Sequence, residues 1–271
     1  MNRILCSTGA LIGRPNGRDY TLLKECVQRL NCDGYEFMMY STWYDQIDRL
    51  APFLKGLAIK IPVLHCEKGI GEAVSRNEEG DSAEALRRFE INCRIAQEIG
   101  AKTLALHLWS GIHSDKNIAH NIEMYGCFRE ISDRYALTLT IENVVCSHEH
   151  PMAHMLRLIR EYPEVQFTFD TKMAQFHGQL DMLYGDAGRE IMGRVAHMHI
   201  NDYRGGYMDW ASLRTLHPGE GQVDFGGLFA FIRAKGYEGD LTVEATSFGS
   251  DGVIDFDALN RDFANIRRWL G

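Results

Sequence analysis

The chain has 271 residues, long for an ordinary domain and typical of one α/β barrel. With 45% hydrophobic and 24% charged residues it is an ordinary globular composition, and 37 acidic against 29 basic residues give no electrostatic reason to bind nucleic acid. No apolar run approaches the length of a membrane span, and the opening "MNRILCSTGALIGRPNG" turns polar and Gly/Pro-rich too soon for a signal peptide.

In chain order, eight short β-rich runs recur: "RILCST", "DGYEFMM", "AIKIPVLH", "KTLALHL", "ALTLTIEN", "VQFTFDT", "VAHMHIN" and "DLTVEAT". Helical candidates lie between and after them. They are "DYTLLKECVQRLN", "DSAEALRRFEINCRIAQEIG", "DKNIAHNIEMYGCFREISDRY", a short piece near "GDAGREIMG", "FGGLFAFIRAKG" and the closing "DFDALNRDFANIRRWLG". In the second of these Ala85, Phe89, Cys93 and Ala96 fall at near-helical spacing, and Gly100 is the expected stop. Eight strand–helix units without a linker or composition break predict a single (β/α)8 barrel domain over residues 1–271. A doubly wound open sheet would also fit the alternation, but no G-x-G-x-x-G follows the first strand. The seven cysteines form no CxxC pair and read as reduced, mostly buried thiols of a cytoplasmic protein.

Strand parity separates two faces. On the fifth strand Leu137, Leu139 and Ile141 oppose Thr138, Thr140 and Glu142; on the sixth Val165, Phe167 and Phe169 oppose Gln166, Thr168 and Asp170. On the seventh, Val195, His197 and His199 share a face, and on the eighth Leu241 and Val243 oppose Asp240, Thr242 and Glu244. Large aliphatic residues suit the side packed under helices, so the polar face looks into the barrel. The ionisable residue comes last on each strand, at the rim where barrel enzymes place their active sites. His65, His107, Glu142, Asp170, His199 and Glu244 therefore converge at one end of one barrel. Buried carboxylates that converge repel one another and are driven to protonate unless a cation stands among them. A divalent ion is the simplest solution, and two Glu, one Asp and one His suit Mn, Mg, Co or Zn. His197, one layer deeper, reads as an interior hydrogen-bonder.

With "DGYEFM", "IEN", "FDT", "HMHIND", "HPGEGQVDF" and "LTVEAT" in this order, the chain resembles the xylose isomerase-like barrel superfamily of sugar and sugar phosphate isomerases and epimerases, which also includes apurinic-site endonucleases. By that resemblance the metal ligands are Glu142, Asp170, His199 and Glu244, the four that parity selects. The implied activity is isomerisation or epimerisation of a sugar, sugar phosphate or related polyhydroxy carbonyl compound, by proton transfer through a metal-stabilised enediolate. Glu142 and Glu244 would be the acid/base pair. His65 and His107 would orient substrate oxygens, or hold a second metal with Glu142. The endonuclease alternative requires a histidine three residues after the sixth-strand Asp, and this chain has Met173 there. A third reading is a barrel that binds a sugar or a partner without catalysis.

Several neighbours carry two readings each. Trp109 either stacks on a sugar face or caps the core. Arg204, in "YRGG", is a phosphate contact or a surface arginine. Glu36 lines the pocket or pairs with a loop cation. The stretch from Glu67 to Asp81 is long and polar, as a lid would be, and the loop from Asp202 to Asp224 is long enough to be functional. The expected partner is a small-molecule sugar, with no nucleic acid and no membrane; a homo-oligomer is compatible with the sequence.

Overall fold

A computed structural model describes residues 2–249 and 252–271. The strands are β1 (Ile4–Ser7), β2 (Gly34–Met38), β3 (Val63–His65), β4 (Thr103–Leu106), β5 (Thr138–Glu142), β6 (Gln166–Asp170), β7 (Val195–His199) and β8 (Asp240–Val243). Each pairs in parallel with the next and β8 closes on β1, which makes the expected eight-stranded barrel. All eight expected runs contain their strand, trimmed at the ends. The third shrinks most: Pro62 removes a ladder donor just before Val63–His65.

Packing follows the parity. Leu139, Ile141, Phe167, Phe169, Leu241 and Val243 belong to the core cluster between barrel and helices, while Thr140, Thr168 and Thr242 are buried without joining it. Inside, Thr140 Oγ1 and Thr168 Oγ1 are 2.6 Å apart, and the Thr140 hydroxyl also donates to the Leu104 carbonyl at 2.8 Å. These threonine hydroxyls are thus satisfied inside the barrel, below its C-terminal rim.

One irregularity in register matters for the site. Phe167 pairs with Val195 but Thr168 pairs with His197, so Ala196 is the extra residue of a bulge. The slip sets inward Thr168 and Asp170 opposite His197 and His199. It also corrects the expected alternation, because Val195 is registered with outward Phe167 and does not share the histidine face.

The helix Asp81–Ile99 buries Ala85, Phe89, Cys93 and Ala96, and ends at Gly100 with φ +83°. Phe89 meets Phe128 of the following helix edge-on at 4.8 Å. The stretch expected to be one helix from Asp19 to Asn31 is instead a short α-turn, Leu23–Cys26, flanked by 3-10 turns. Between Glu67 and Asp81 the chain forms a helix, Gly69–Arg76, rather than an open lid. Glu67 accepts from the Gly69 N–H at 2.7 Å, and a Cβ on Gly71 would collide with the His107 carbonyl, so this helix is seated tightly against the end of β4. Helices Ile47–Gly56, Pro151–Glu161 and Thr171–Phe176 are not among the expected ones. Pro52 lies inside the first, and the last has only six residues. No helix among the described residues is long and apolar enough to cross a membrane. All seven cysteines are free thiols.

Candidate metal centre

Glu142, Asp170 and His199 end β5, β6 and β7, and Glu244 follows β8 directly. Their side chains meet at the C-terminal mouth, with one ligand atom from each inside a 4.8 Å cluster. His199 Nδ1 lies 3.5 Å from Glu142 Oε1, 3.5 Å from Glu244 Oε2 and 3.9 Å from Asp170 Oδ2. It has no hydrogen-bond partner, and neither does buried Glu244 Oε1. Unpartnered buried polar atoms are costly, and here both belong to a cluster of three carboxylates and an imidazole. That donor set fits a divalent cation, so the cluster could hold one.

The electrostatics tell the same story. Burial raises carboxyl pKa values, yet the His107 and His199 imidazoles outweigh it at Glu142 and hold that carboxyl well below its usual range. Glu244 is also lowered: burial opposes, and His199 prevails. Asp170 goes the other way, raised by burial and by the charges of Glu142 and Glu244 despite nearby Lys172. One acid among three is forced toward its neutral form, which is the repulsion a cation relieves.

His65 and His107 stand on the inner wall as expected. His65 Nε2 is 3.2 Å and His107 Nε2 2.8 Å from Glu142 Oε2, and the three form a second cluster of metal-ligating type. His107 approaches off the line of a hydrogen bond. Burial brings its pKa down to about 4 despite the Glu142 charge.

Several contributors were not singled out from sequence. Asn201 Nδ2 donates to Asp170 Oδ2 at 2.8 Å and to Glu244 Oε2 at 3.2 Å, while its Oδ1 accepts from the Glu244 N–H at 3.0 Å. Asn143 brackets the Asp170 backbone from both sides, at 2.6 and 3.0 Å. Lys172 is buried and donates to Thr215 Oγ1 at 2.9 Å. For Asn201 a signal existed, since it continues the inward parity of His197 and His199. For Lys172 none did, because its helix lies past the strand.

Of its two expected readings, Glu36 takes the inward one, standing in a cluster with His65 and Glu244. It pairs inside the barrel with His197 Nε2 at 2.6 Å and His199 Nε2 at 3.1 Å, not with a loop cation. Burial opposes its ionisation, but the two imidazoles hold it well below its ordinary pKa. His197 is the expected interior hydrogen-bonder.

Trp109 takes the core-capping reading. It is fully buried in the hydrophobic cluster, its indole N–H donates to the Val144 carbonyl at 2.8 Å, and it offers no free face to a sugar. Arg204 takes the surface reading: it is exposed and donates to the Glu220 carbonyl within its own loop. That loop is tied to Asp202, whose carboxylate accepts from Tyr203, Gly219, Gly221 and Val223 N–H groups at 2.8 to 3.0 Å. Met173 supplies Asp170 Oδ1 with a backbone N–H at 2.9 Å, and its thioether is a poor ligand for hard cations.

Three solved structures share this architecture. L-ribulose 3-epimerase superposes with a TM-score of 0.76 at 18% identity, covering 100% of this chain and 95% of that one. The 3-keto-D-glucoside 4-epimerase of E. coli gives 0.72 at 17%, covering 99% and 100%. D-allulose 3-epimerase from Methylomonas sp., in complex with D-allulose, gives 0.72 at 15%, covering 98% and 96%. Identities this low establish the fold. A search by sequence among curated proteins returns no significant match. The family model for xylose isomerase-like TIM barrels, however, matches residues 25–268, nearly the whole closed barrel and every residue of the cluster, and the chain belongs to that family.

Proposed function

We propose that the protein is a divalent-metal-dependent isomerase or epimerase of a sugar or a related polyhydroxy carbonyl compound. The carrying observation is the four-residue cluster in which His199 Nδ1 and Glu244 Oε1 lack partners among three carboxylates. Glu142, Asp170, His199 and Glu244 would hold the ion. When bound, such an ion supplies Lewis acidity that stabilises the enediolate formed by removing a proton beside a carbonyl.

Proton movement falls to Glu142 and Glu244. Both pKa values are lowered, so both are ionised at neutral pH and able to accept a proton. Glu244 Oε1 has no competing hydrogen bond, whereas Glu142 Oε2 is engaged by His65. Glu244 is therefore the freer base, and Glu142, beside His65 and His107, is suited to return the proton at a neighbouring carbon or on the opposite face. His65 and His107 also suit a second cation with Glu142, which metal stoichiometry would reveal. The epimerase names of the structural neighbours agree with this chemistry and favour a ketose or keto-sugar.

The test is elemental analysis of purified protein, followed by ketoses, keto-sugars and sugar phosphates incubated in D2O. Metal-dependent deuterium incorporation next to the carbonyl is the expected result. Bound metal without exchange on any substrate would favour a binding role, and metal-dependent nicking of abasic duplex DNA would favour the phosphodiesterase alternative.

A further inference from the structure

The inner wall contains a polar chain that reaches the proposed metal ligands from β2. Glu36 of β2 lies on the β7 histidines across the barrel: His197 Nε2 is 2.6 Å from Oε2, and His199 Nε2 is 3.1 Å from Oε1 and 3.2 Å from Oε2. All three side chains are buried. A carboxylate only accepts, so both ring nitrogens must carry hydrogen and donate. Thr242 Oγ1, 3.1 Å from His197 Nε2, adds a further contact from β8. Glu36 is thus held by two rings, one of which also meets Thr242.

An imidazole that keeps its hydrogen on Nε2 and gives up the one on Nδ1 presents a cation with the Nδ1 lone pair. In His199 that nitrogen is the unpartnered one, turned toward Glu142, Glu244 and Asp170. We infer that Glu36 is the positioning residue of the metal centre: it accepts the His199 Nε2 proton and thereby fixes the tautomer and ring orientation that aim the Nδ1 lone pair at the ion. Outer carboxylates of this kind orient ligating histidines and raise their basicity. The 2.6 Å separation between His197 Nε2 and Glu36 Oε2 is a hydrogen-bond distance, and it identifies the Glu36 cluster as support rather than a further ion site. The inference rests on the metal reading of the preceding section.

The experiment uses the full chain, stripped of metal and titrated with Mn2+ by calorimetry, as wild type and as Glu36→Gln. Glutamine keeps the size of Glu36 but loses its charge and half its acceptor capacity. Affinity is expected to fall roughly 10- to 100-fold in the folded variant, an effect that a merely structural role would not produce. Wild-type binding with a variant affinity within about two-fold overturns the inference alone. No binding by the wild type overturns the metal reading and the inference with it. Should Glu36→Gln fail to fold, 15N NMR of the histidines in zinc-loaded wild type decides. Protonated Nε2 with metal-bound Nδ1 on His199 supports the inference, and the reverse arrangement overturns it.

Discussion

The two halves of the inner barrel wall carry different parts of one apparatus. From β5 to β8 the strand ends present Glu142, Asp170, His199 and Glu244, with atoms left unpartnered around a common point. From β2 to β4 the same level presents Glu36, His65 and His107, each directed at a residue of the other half. One half offers ligands and the other tethers them. The barrel's closure makes this possible, because strands far apart in sequence face one another across a short interior. A carboxylate positioned only by its own strand would be free to rotate; Glu142 meets two imidazoles on one oxygen and a third on the other.

The comparison breaks most visibly at Glu244. Glu244→Gln removes the unpartnered acceptor Oε1 while keeping the size and the contact with Asn201. Turnover is expected to drop by about 10^2- to 10^4-fold, with substrate affinity changed far less. Steady-state kinetics on the substrate found by deuterium exchange measures the split. Equal losses in a tether variant such as His107→Gln would erase the distinction between the halves.

Asp170→Asn comes next. Asp170 accepts from the Met173 N–H and from Asn201 Nδ2, so the new amide can set one N–H2 group against another. Metal affinity should fall by more than about 100-fold, beyond the effect of an outer tether. The readout is the metal-dependent rise in melting temperature. An ion at 100 times its Kd adds about 2.7 kcal/mol to the wild type, and most of that gain should vanish in the variant. An unchanged shift would remove Asp170 from the ligand set.

His107→Gln tests the tether half directly. Burial keeps His107 neutral near pH 7, with its pKa down to about 4, so it confines Glu142 by its close approach at 2.8 Å rather than by a full charge. A roughly 10-fold loss of turnover with nearly unchanged metal affinity is expected if it only orients Glu142. A loss of one bound ion per chain would instead make it a ligand of a second cation.

The ligand half was legible in the sequence because strands alternate with period two: Glu142, Asp170, His199 and Glu244 each continue a polar face that begins with threonine, glutamine, histidine or aspartate. The tether half was legible only in part. His65 and His107 end their strands and could be found, but Glu36's partners lie on β7, 161 and 163 residues away, and no local pattern encodes that pairing. The bulge at Ala196 was equally hidden, since Val195 looks like a continuation of the histidine face. Trp109 misled because strand parity carries no information about what lies above the last strand residue, where the indole turned out to pack into the core. Composition described the polar 67–81 stretch accurately, yet hid the short helix whose apolar face, Ile70, Ala73 and Val74, is buried.

A buried histidine outside both halves provides the smallest and cleanest contrast. His177 follows the short helix beyond β6; its Nε2 accepts the Cys146 backbone N–H at 3.0 Å and its Nδ1 has no partner. Burial, aided by nearby His150 and His154, brings its pKa down to about 4, whereas His199, equally buried, is raised well above its ordinary value by surrounding carboxylates. The sign of the stability effect follows. The unfolded chain binds a proton at about pH 6.5, and the folded chain does not until about pH 4. Between these values the unfolded state holds more protons, so His177 lowers stability as pH falls through that window and adds no further loss below it. His177→Gln keeps an acceptor for the Cys146 N–H and removes the titration. Its stability should therefore fall less than the wild type's between pH 6.5 and 4, by roughly 2 to 3 kcal/mol, read as a smaller drop in melting temperature. His107 contributes the same trend to both proteins and cancels in the comparison. Parallel pH profiles would mean that His177 is already charged, or is reached by solvent, in the folded protein.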